Sequence, residues 1–302
     1  MQRMPVSASV AAYALERFPV WILVLTSLFV VLSSGAVVLA PFGRPFPGLM
    51  PIGIATITVV LFMFHMRVFD DMKDKRFDDR HHPSRLIQKG KISLKALLVI
   101  DLLGIAVQFI LTLLYSVNAV IWLLFAYAYA ALAGADFMAG TVLRRHFFLY
   151  NLLNILQLFF VQLYIYAMFT PFFSLTDPGL FIHFLFAIGN AGILEIARKL
   201  KAPEQESTGN DTYSARLGID GAAVFFVTLC LFIYGLFLAL FFSQPYTTSQ
   251  FLLSFAAPAV VCIAAIAYAL LRKGLSAAAI PGAAIFFYLV THGSLALPFL
   301  FQ

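Results

Sequence analysis

The chain has 302 residues, 62% of them hydrophobic and 11% charged, with a formal net charge of +6. Soluble domains carry about 25% charge, so this composition, with a mean hydropathy of +0.93, excludes a soluble enzyme and points to a polytopic all-α membrane protein. The surplus of bases sits in short loops and not on a soluble basic face, so it is no nucleic-acid signal and reads as a topology determinant.

Apolar runs long enough to cross a bilayer as helices, about 20 residues each, recur nine times: near 19–40, 49–69, 93–115, 117–136, 147–170, 179–199, 219–242, 251–271 and 278–300. The first run begins near Phe18 and is too long for the core of a signal peptide, so no cleaved leader is expected. Turn residues punctuate the runs at 41–45, Thr170-Pro171, 177–179 and Gln244-Pro245. No soluble domain fits between them, so residues 1–302 read as a single membrane domain. With the N-terminus in the cytoplasm, 19 of the 20 Lys and Arg residues fall in cytoplasmic loops and only Arg44 lies opposite. The positive-inside rule therefore supports nine spans with the C-terminus outside. Cys230 and Cys262 both lie in apolar runs and give neither a metal spacing nor a disulfide framework.

Two polar loops, 70–92 and 200–218, interrupt this pattern, and the same tally puts both on the cytoplasmic face. In the first, five of the 14 acids fall within ten residues, interleaved with bases. If the preceding helix continues, Asp70, Asp74 and Asp78 stack at i, i+4 and i+8 on one face, with Asp71 close by. Stacked carboxylates repel unless a cation holds them, and an oxygen-rich set suits Mg2+. Arg67, Lys73, Arg80 and Arg85 flank it and are fitted to grip phosphate oxygens that such a cation also ligates. The plainer reading is a solvated charged loop; the four-residue spacing of the acids and the second polar loop argue against it. That second loop again leaves a helix end with mixed charge: Glu195, Arg198, Lys199, Lys201, Glu204, Glu206 and Asp211. Two acidic clusters at one membrane depth are suited to holding Mg2+ and a diphosphate above an apolar cavity.

The run Asp70-Asp71-x-x-Asp74-x-x-x-Asp78 resembles the N/D-D-x-x-D-x-x-x-D motif of the UbiA superfamily of membrane prenyltransferases. The tail His82-Pro83-x-Arg85, then Gly90-x-Ile92-Ser93, is similar to that family's HPxRP…GxIS segment, with Leu86 where a proline is usual. Arg144-Arg145 matches a basic pair after helix 4, but Gly140 replaces the tyrosine common four residues earlier. Thr212 to Gly218 is similar to the family's KSTAxxxG close. The second D-x-x-x-D of the family lands near Lys201 and Gln205 or one residue away at Glu204, so the acids there are Glu195, Glu204, Glu206 and Asp211.

The resemblance implies a nine-helix bundle and a reaction in which Mg2+ neutralises the diphosphate of a polyprenyl donor. Diphosphate leaves, and a nucleophilic atom of a lipophilic acceptor, such as an aromatic ring, captures the allylic cation. It assigns catalytic roles to Asp70, Asp74, Asp78 and Glu195, and metal ligation to Asp70, Asp71, Asp74, Asp78 and Glu204. Diphosphate contacts fall to Arg67, Lys73, Arg80, Arg85, Arg144, Arg198 and Lys199. The partners implied are a prenyl diphosphate, the acceptor and the bilayer.

Two other classes fit the sequence less well. A CDP-alcohol phosphotransferase needs D-G-x-x-A-R followed by further acids, and Asp220-Gly221 lacks both. A transporter needs charged or unwound sites near the midplane, whereas these charges gather at one face. Asp101, inside the third run, is costly there and is either held by a structural hydrogen bond or faces a cavity. Asp136 reads as interfacial, His183 and His292 as packing residues, and His81 and His82 as members of the motif loop.

Overall fold

The computed structural model describes residues 6–39, 43, 48–206, 211–243 and 247–300. Among them the regular structure is helical, and nine stretches are long and apolar enough to cross a membrane. They begin with α2 (Val20–Leu39), α3 (Leu49–Lys73), α5 (Leu94–Tyr115) and α6 (Val117–Gly134). The fifth crossing is built from α8 (Phe147–Ile155) and α9 (Gln157–Phe169). Then come α10 (Pro178–Ala197), α11 (Tyr213–Phe241), α12 (Thr248–Ser254) continued by α13 (Ala256–Leu271), and α14 (Gly274–Leu300). Shorter helices are α1 (Val6–Arg17), α4 (Lys75–His81) and α7 (Gly140–Leu143). The nine expected spans are all present. Arg44 and Gln244-Pro245, and most of the 41–45 turn, lie outside the described residues.

Local chemistry sets the helix starts. Ser93 accepts the backbone N–H of Ala96 at 3.1 Å, and Asp177 accepts that of Leu180 at 2.8 Å with Pro178 in the first turn. Thr212 accepts Ala215 N–H at 3.1 Å, and Thr247 pairs reciprocally with Gln250 in a capping box. Each satisfies a donor that the first helical turn otherwise leaves open. One boundary differs from the sequence reading: α11 starts at Tyr213, not near 219. Gly218, at φ 70° and ψ 168°, separates that polar first turn from the apolar crossing, and only glycine adopts such a backbone without strain.

The chain divides into two compact units, Met1–Val31 with Gly48–Pro171, and Leu32–Pro47 with Phe172–Gln302. In the first, α3 packs on α5, α5 on α6, and α6 on α9. In the second, α13 packs on α14, and α11 on both α10 and α13. The membrane solvent is legible in α5: it buries Leu97, Asp101, Gln108 and Thr112 along one face while Leu102, Leu103, Val107, Ile110 and Leu114 are exposed. Polar groups turn inward and find partners, as a lipid exterior requires. Gln108 Nε2 donates to the Tyr127 hydroxyl at 2.7 Å, and Thr112 Oγ1 lies 3.2 Å from the Tyr164 hydroxyl. In the second unit Ser33 Oγ bridges His292 Nδ1 at 2.7 Å and His183 Nε2 at 3.2 Å, so both histidines pack in the core there, with His292 Nε2 left without a hydrogen-bond partner among the described residues.

Candidate active site

The acid-rich segment runs from the end of α3 into α4. Asp74 interrupts the helix at φ −90° and ψ 6°, yet the i+4 ladder passes through it. The backbone N–H groups of Asp74, Asp78 and His82 donate to the carbonyls of Asp70, Asp74 and Asp78, each at 2.8 Å. The helical spacing of the three aspartates is therefore kept.

Their surroundings divide them. Asp71 is 2% exposed; it accepts the Tyr13 hydroxyl and the Arg17 guanidinium, each at 2.7 Å, and also pairs with Arg67. Asp78, 5% exposed, pairs with Arg85 and lies 3.9 Å from Arg17. A small apolar cluster of Tyr13, Val68, Ile92 and Leu97 underlies this network and ties α1 to the loop before α5. Asp71 and Asp78 are thus enclosed by arginines of their own unit. Arg67 and Arg85, expected on a diphosphate, are the groups that enclose them.

Asp70 and Asp74 are only half-buried. Burial, followed by the charge of Asp70, raises the pKa of Asp74 above the ordinary carboxylate range, and Lys73 and Arg144 only partly offset this. Arg144 Nη2 lies 4.0 Å from Asp74. Both bases are held by Asp136: Lys73 Nζ is 3.1 Å from its Oδ1, and Arg144 Nε and Nη2 are 2.9 and 2.6 Å from its Oδ2. Tyr150 donates its hydroxyl to the same carboxylate at 2.9 Å. Burial alone would raise the Asp136 pKa, but hydrogen bonds from Arg144, Lys73 and Tyr150 outweigh it and hold the carboxyl below its usual range.

A small cavity opens beside Asp70 and Lys73, lined by His65, Phe69, Ala133, Gly134, Asn154 and Gln157. Gly134 is needed there, because a Cβ would meet the Phe69 ring at 2.6 Å. Deeper along α3, His65 Nδ1 lies 2.8 Å from Asp101 Oδ2, which gives Asp101 both a hydrogen bond and a place behind the cavity wall. Sequence reasoning missed His65, Tyr150 and the role of Asp136.

The other expected residues are placed as follows. Arg80 is exposed on α4. Glu195 pairs with Arg198 and takes Lys199 Nζ at 2.9 Å. Glu204 Oε1 accepts the backbone N–H of Gly274 at 2.6 Å, at the start of α14. Among the described residues no three His, Cys, Asp or Glu side chains form a group that could hold a metal ion unaided. The Asp70–Asp74 pair nonetheless fits Mg2+, which binds through one or two carboxylates with substrate phosphates completing its shell. Mutual repulsion in that pair is what a divalent cation would relieve.

No family model and no curated protein matches the chain. Solved structures do. A UbiA homologue from Aeropyrum pernix K1 superposes with a TM-score of 0.65 at 17% identity, over 91% of this chain and 97% of that one. A digeranylgeranylglyceryl phosphate synthase gives 0.62 at 14% identity, over 98% and 100%. A UbiA homologue from Archaeoglobus fulgidus bound to DMAPP and Mg2+ gives 0.54 at 11%, over 94% and 99%. The helix order, the nine crossings and these superpositions agree: the chain has the fold of the UbiA superfamily of membrane prenyltransferases.

Proposed function

We propose that the protein is a membrane-embedded prenyltransferase that moves a prenyl group from a prenyl diphosphate to a lipophilic acceptor, with its active site toward the cytoplasmic face. The observation that carries this reading is the half-buried Asp70–Asp74 pair in a UbiA fold, with Asp70 and Lys73 lining a small cavity and Arg144 4.0 Å from Asp74. Its support from relatives is the Archaeoglobus fulgidus homologue with DMAPP and Mg2+ bound.

The roles follow from the contacts. Asp70 and Asp74 hold Mg2+, which when bound neutralises diphosphate and makes it a better leaving group. Lys73 and Arg144 meet the diphosphate oxygens, and Asp136 and Tyr150 hold the two bases in place before the donor arrives. The cavity is water-sized, and Phe69, Ala133 and Gly134 give it an apolar wall beside Asp70. Asp71 and Asp78 act at one remove, by fixing the helix end through Tyr13, Arg17, Arg67 and Arg85. The second unit, taken by itself, carries a further charged cluster of the same chemistry: Arg198 and Lys199 are suited to phosphate oxygens beside Glu195, and Glu204 Oε2 to a weaker metal contact beside the oxygen that Gly274 occupies.

The test is Mg2+-dependent release of diphosphate and formation of a prenylated product from labelled donor by purified protein. Loss of both on Asp74→Asn is expected. Release that is independent of Mg2+ and of Asp74 would refute the assignment.

A further inference from the structure

The proposed transfer leaves one proton without a destination, and a buried pair in the first unit is placed to take it. His65 lies five residues before Asp70 on α3, roughly 7.5 Å along the helix axis, and lines the same cavity as Asp70 and Lys73. A donor whose diphosphate sits on Asp70 and Asp74 has its reacting carbon one bond from a phosphate oxygen. The prenyl chain beyond that carbon belongs in the apolar interior, the direction along α3 in which His65 lies.

The pair has a definite proton arrangement. An ionised carboxylate only accepts, so the bond of 2.8 Å between Asp101 Oδ2 and His65 Nδ1 places the hydrogen on Nδ1. Nε2 then carries a lone pair, and among the described residues no hydrogen bond engages it. The ring is fixed by Phe69 at 4.3 Å and Tyr127 at 4.8 Å between centroids. Asp101 is 1% exposed in the apolar body of α5. A carboxylate is costly at such a position, and an amide would satisfy Nδ1 equally well. What only the carboxylate adds is stabilisation of an imidazolium.

We propose that His65 is the general base of the transfer, with Asp101 as its positioning residue; this rests on the prenyltransferase reading above. The bond between the reacting carbon and the diphosphate oxygen breaks, and its electron pair leaves on diphosphate. The acceptor's oxygen or ring carbon supplies the pair for the new bond and gives up its proton to His65 Nε2. Asp101 balances the imidazolium until the proton passes to water with product release. The acceptor class is therefore one with a hydroxyl, or a ring carbon bearing hydrogen, at the attacking position.

The experiment uses the full chain in nanodiscs with Mg2+, labelled geranyl diphosphate, and either a hydroxybenzoate or a lipid alcohol as acceptor. His65→Gln lowers the transfer rate by about 10²–10⁴-fold, the usual weight of a general base, while donor affinity stays within about twofold. With Mg2+ saturating at every pH, so that protonation of Asp74 does not enter, the wild-type rate falls on the acid side of a pH profile, and that limb is absent in His65→Gln. The charged or titratable groups around the ring are Asp101 from α5, Tyr127 from α6, and Asp70 and Lys73 from α3, so the profile is repeated in Asp101→Asn. That variant keeps an oxygen toward Nδ1 and carries the test if His65→Gln does not fold. Added imidazole partly restores His65→Ala. Wild-type rate and an unchanged acid limb in His65→Gln or Asp101→Asn overturn the base assignment and leave the transferase reading standing. A wild-type chain that neither binds donor nor transfers overturns both.

Discussion

Gly140 makes the space in which Asp136 sits: a Cβ at position 140 would lie 2.8 Å from Asp136 Oδ2 and 2.9 Å from its Cβ. The tyrosine expected at 140 from the family resemblance is therefore incompatible with this carboxylate between Lys73 and Arg144. Asp136, Phe137 and Met138 all have positive φ, at 49°, 53° and 56°. For residues other than glycine such a turn costs roughly 1–2 kcal/mol each, and the three hydrogen-bonding partners of Asp136 offset it.

Gly140→Ala is expected to lower stability by about 1–3 kcal/mol through overpacking. Asp136→Ala is expected to cost a similar amount, about 1–3 kcal/mol, by removing the carboxylate that Lys73, Arg144 and Tyr150 share. Because both act on one contact, the double variant loses less than the two single losses added together. Thermal unfolding in detergent checks this, and strict additivity would separate the two residues.

The aspartates of the motif should divide by phenotype. Asp71→Ala and Asp78→Ala each remove a buried carboxylate and leave part-buried arginines uncompensated; loss of such a partner costs about 1–3 kcal/mol, so both variants are expected to unfold at lower temperature. Asp74→Asn relieves repulsion from Asp70 and should keep or raise stability while abolishing turnover. Asp79, exposed and paired with Lys75 at 2.6 Å, should tolerate Asn in both assays. Equal stability of Asp71→Ala and Asp74→Asn would contradict the division.

Part of this was legible in the sequence. Nine runs of about 20 apolar residues read directly as nine crossings, and the i+4 spacing gave the acid ladder. Spacing could not tell Asp71 and Asp78 from Asp70 and Asp74, because Tyr13 and Arg17 reach Asp71 from 58 and 54 residues away. His65 was silent for the same reason: a single histidine in an apolar run acquires meaning only when Asp101 packs beside it. Asp136 depends on a left-handed turn that no local pattern announces, although Gly140, visible as a departure from the family, was its trace. The first turn of α11 escaped because a short polar helix before Gly218 lacks the apolar signal of a span.

Protons and Mg2+ compete at Asp74. Its folded pKa is raised by burial and by Asp70, so just above the ordinary aspartate range the folded state binds more protons than the unfolded one. Stability from this group is present below the ordinary value and is lost as pH rises through the raised one. Asp136 is depressed, so its contribution is present above the ordinary value and is lost as pH falls through the lowered one. Unfolding temperature against pH should therefore show two opposed limbs. Mg2+ should remove the Asp74 limb, as should Asp74→Asn. A limb that persists in Asp74→Asn would assign it to another group.

Sidedness is tested with single cysteines in a background lacking Cys230 and Cys262. Arg80, exposed on α4, and Thr176, in an exposed turn, are the positions changed to cysteine. An impermeant thiol reagent should label the first from the cytoplasmic side and the second from the opposite side. Labelling of both from one side would contradict the nine-crossing topology with the acid motif in the cytoplasm.

The most direct measurement is diphosphate release from labelled geranyl diphosphate, titrated with Mg2+, for the wild type, Asp74→Asn and Asp79→Asn. The expected result is saturable Mg2+-dependent release by the wild type and by Asp79→Asn, with loss of at least about 10²-fold in Asp74→Asn, as for removal of a group that acts on the transition state. Release that persists without Mg2+, or an Asp74→Asn variant as active as Asp79→Asn, would contradict the placement of the metal and the donor at Asp70 and Asp74.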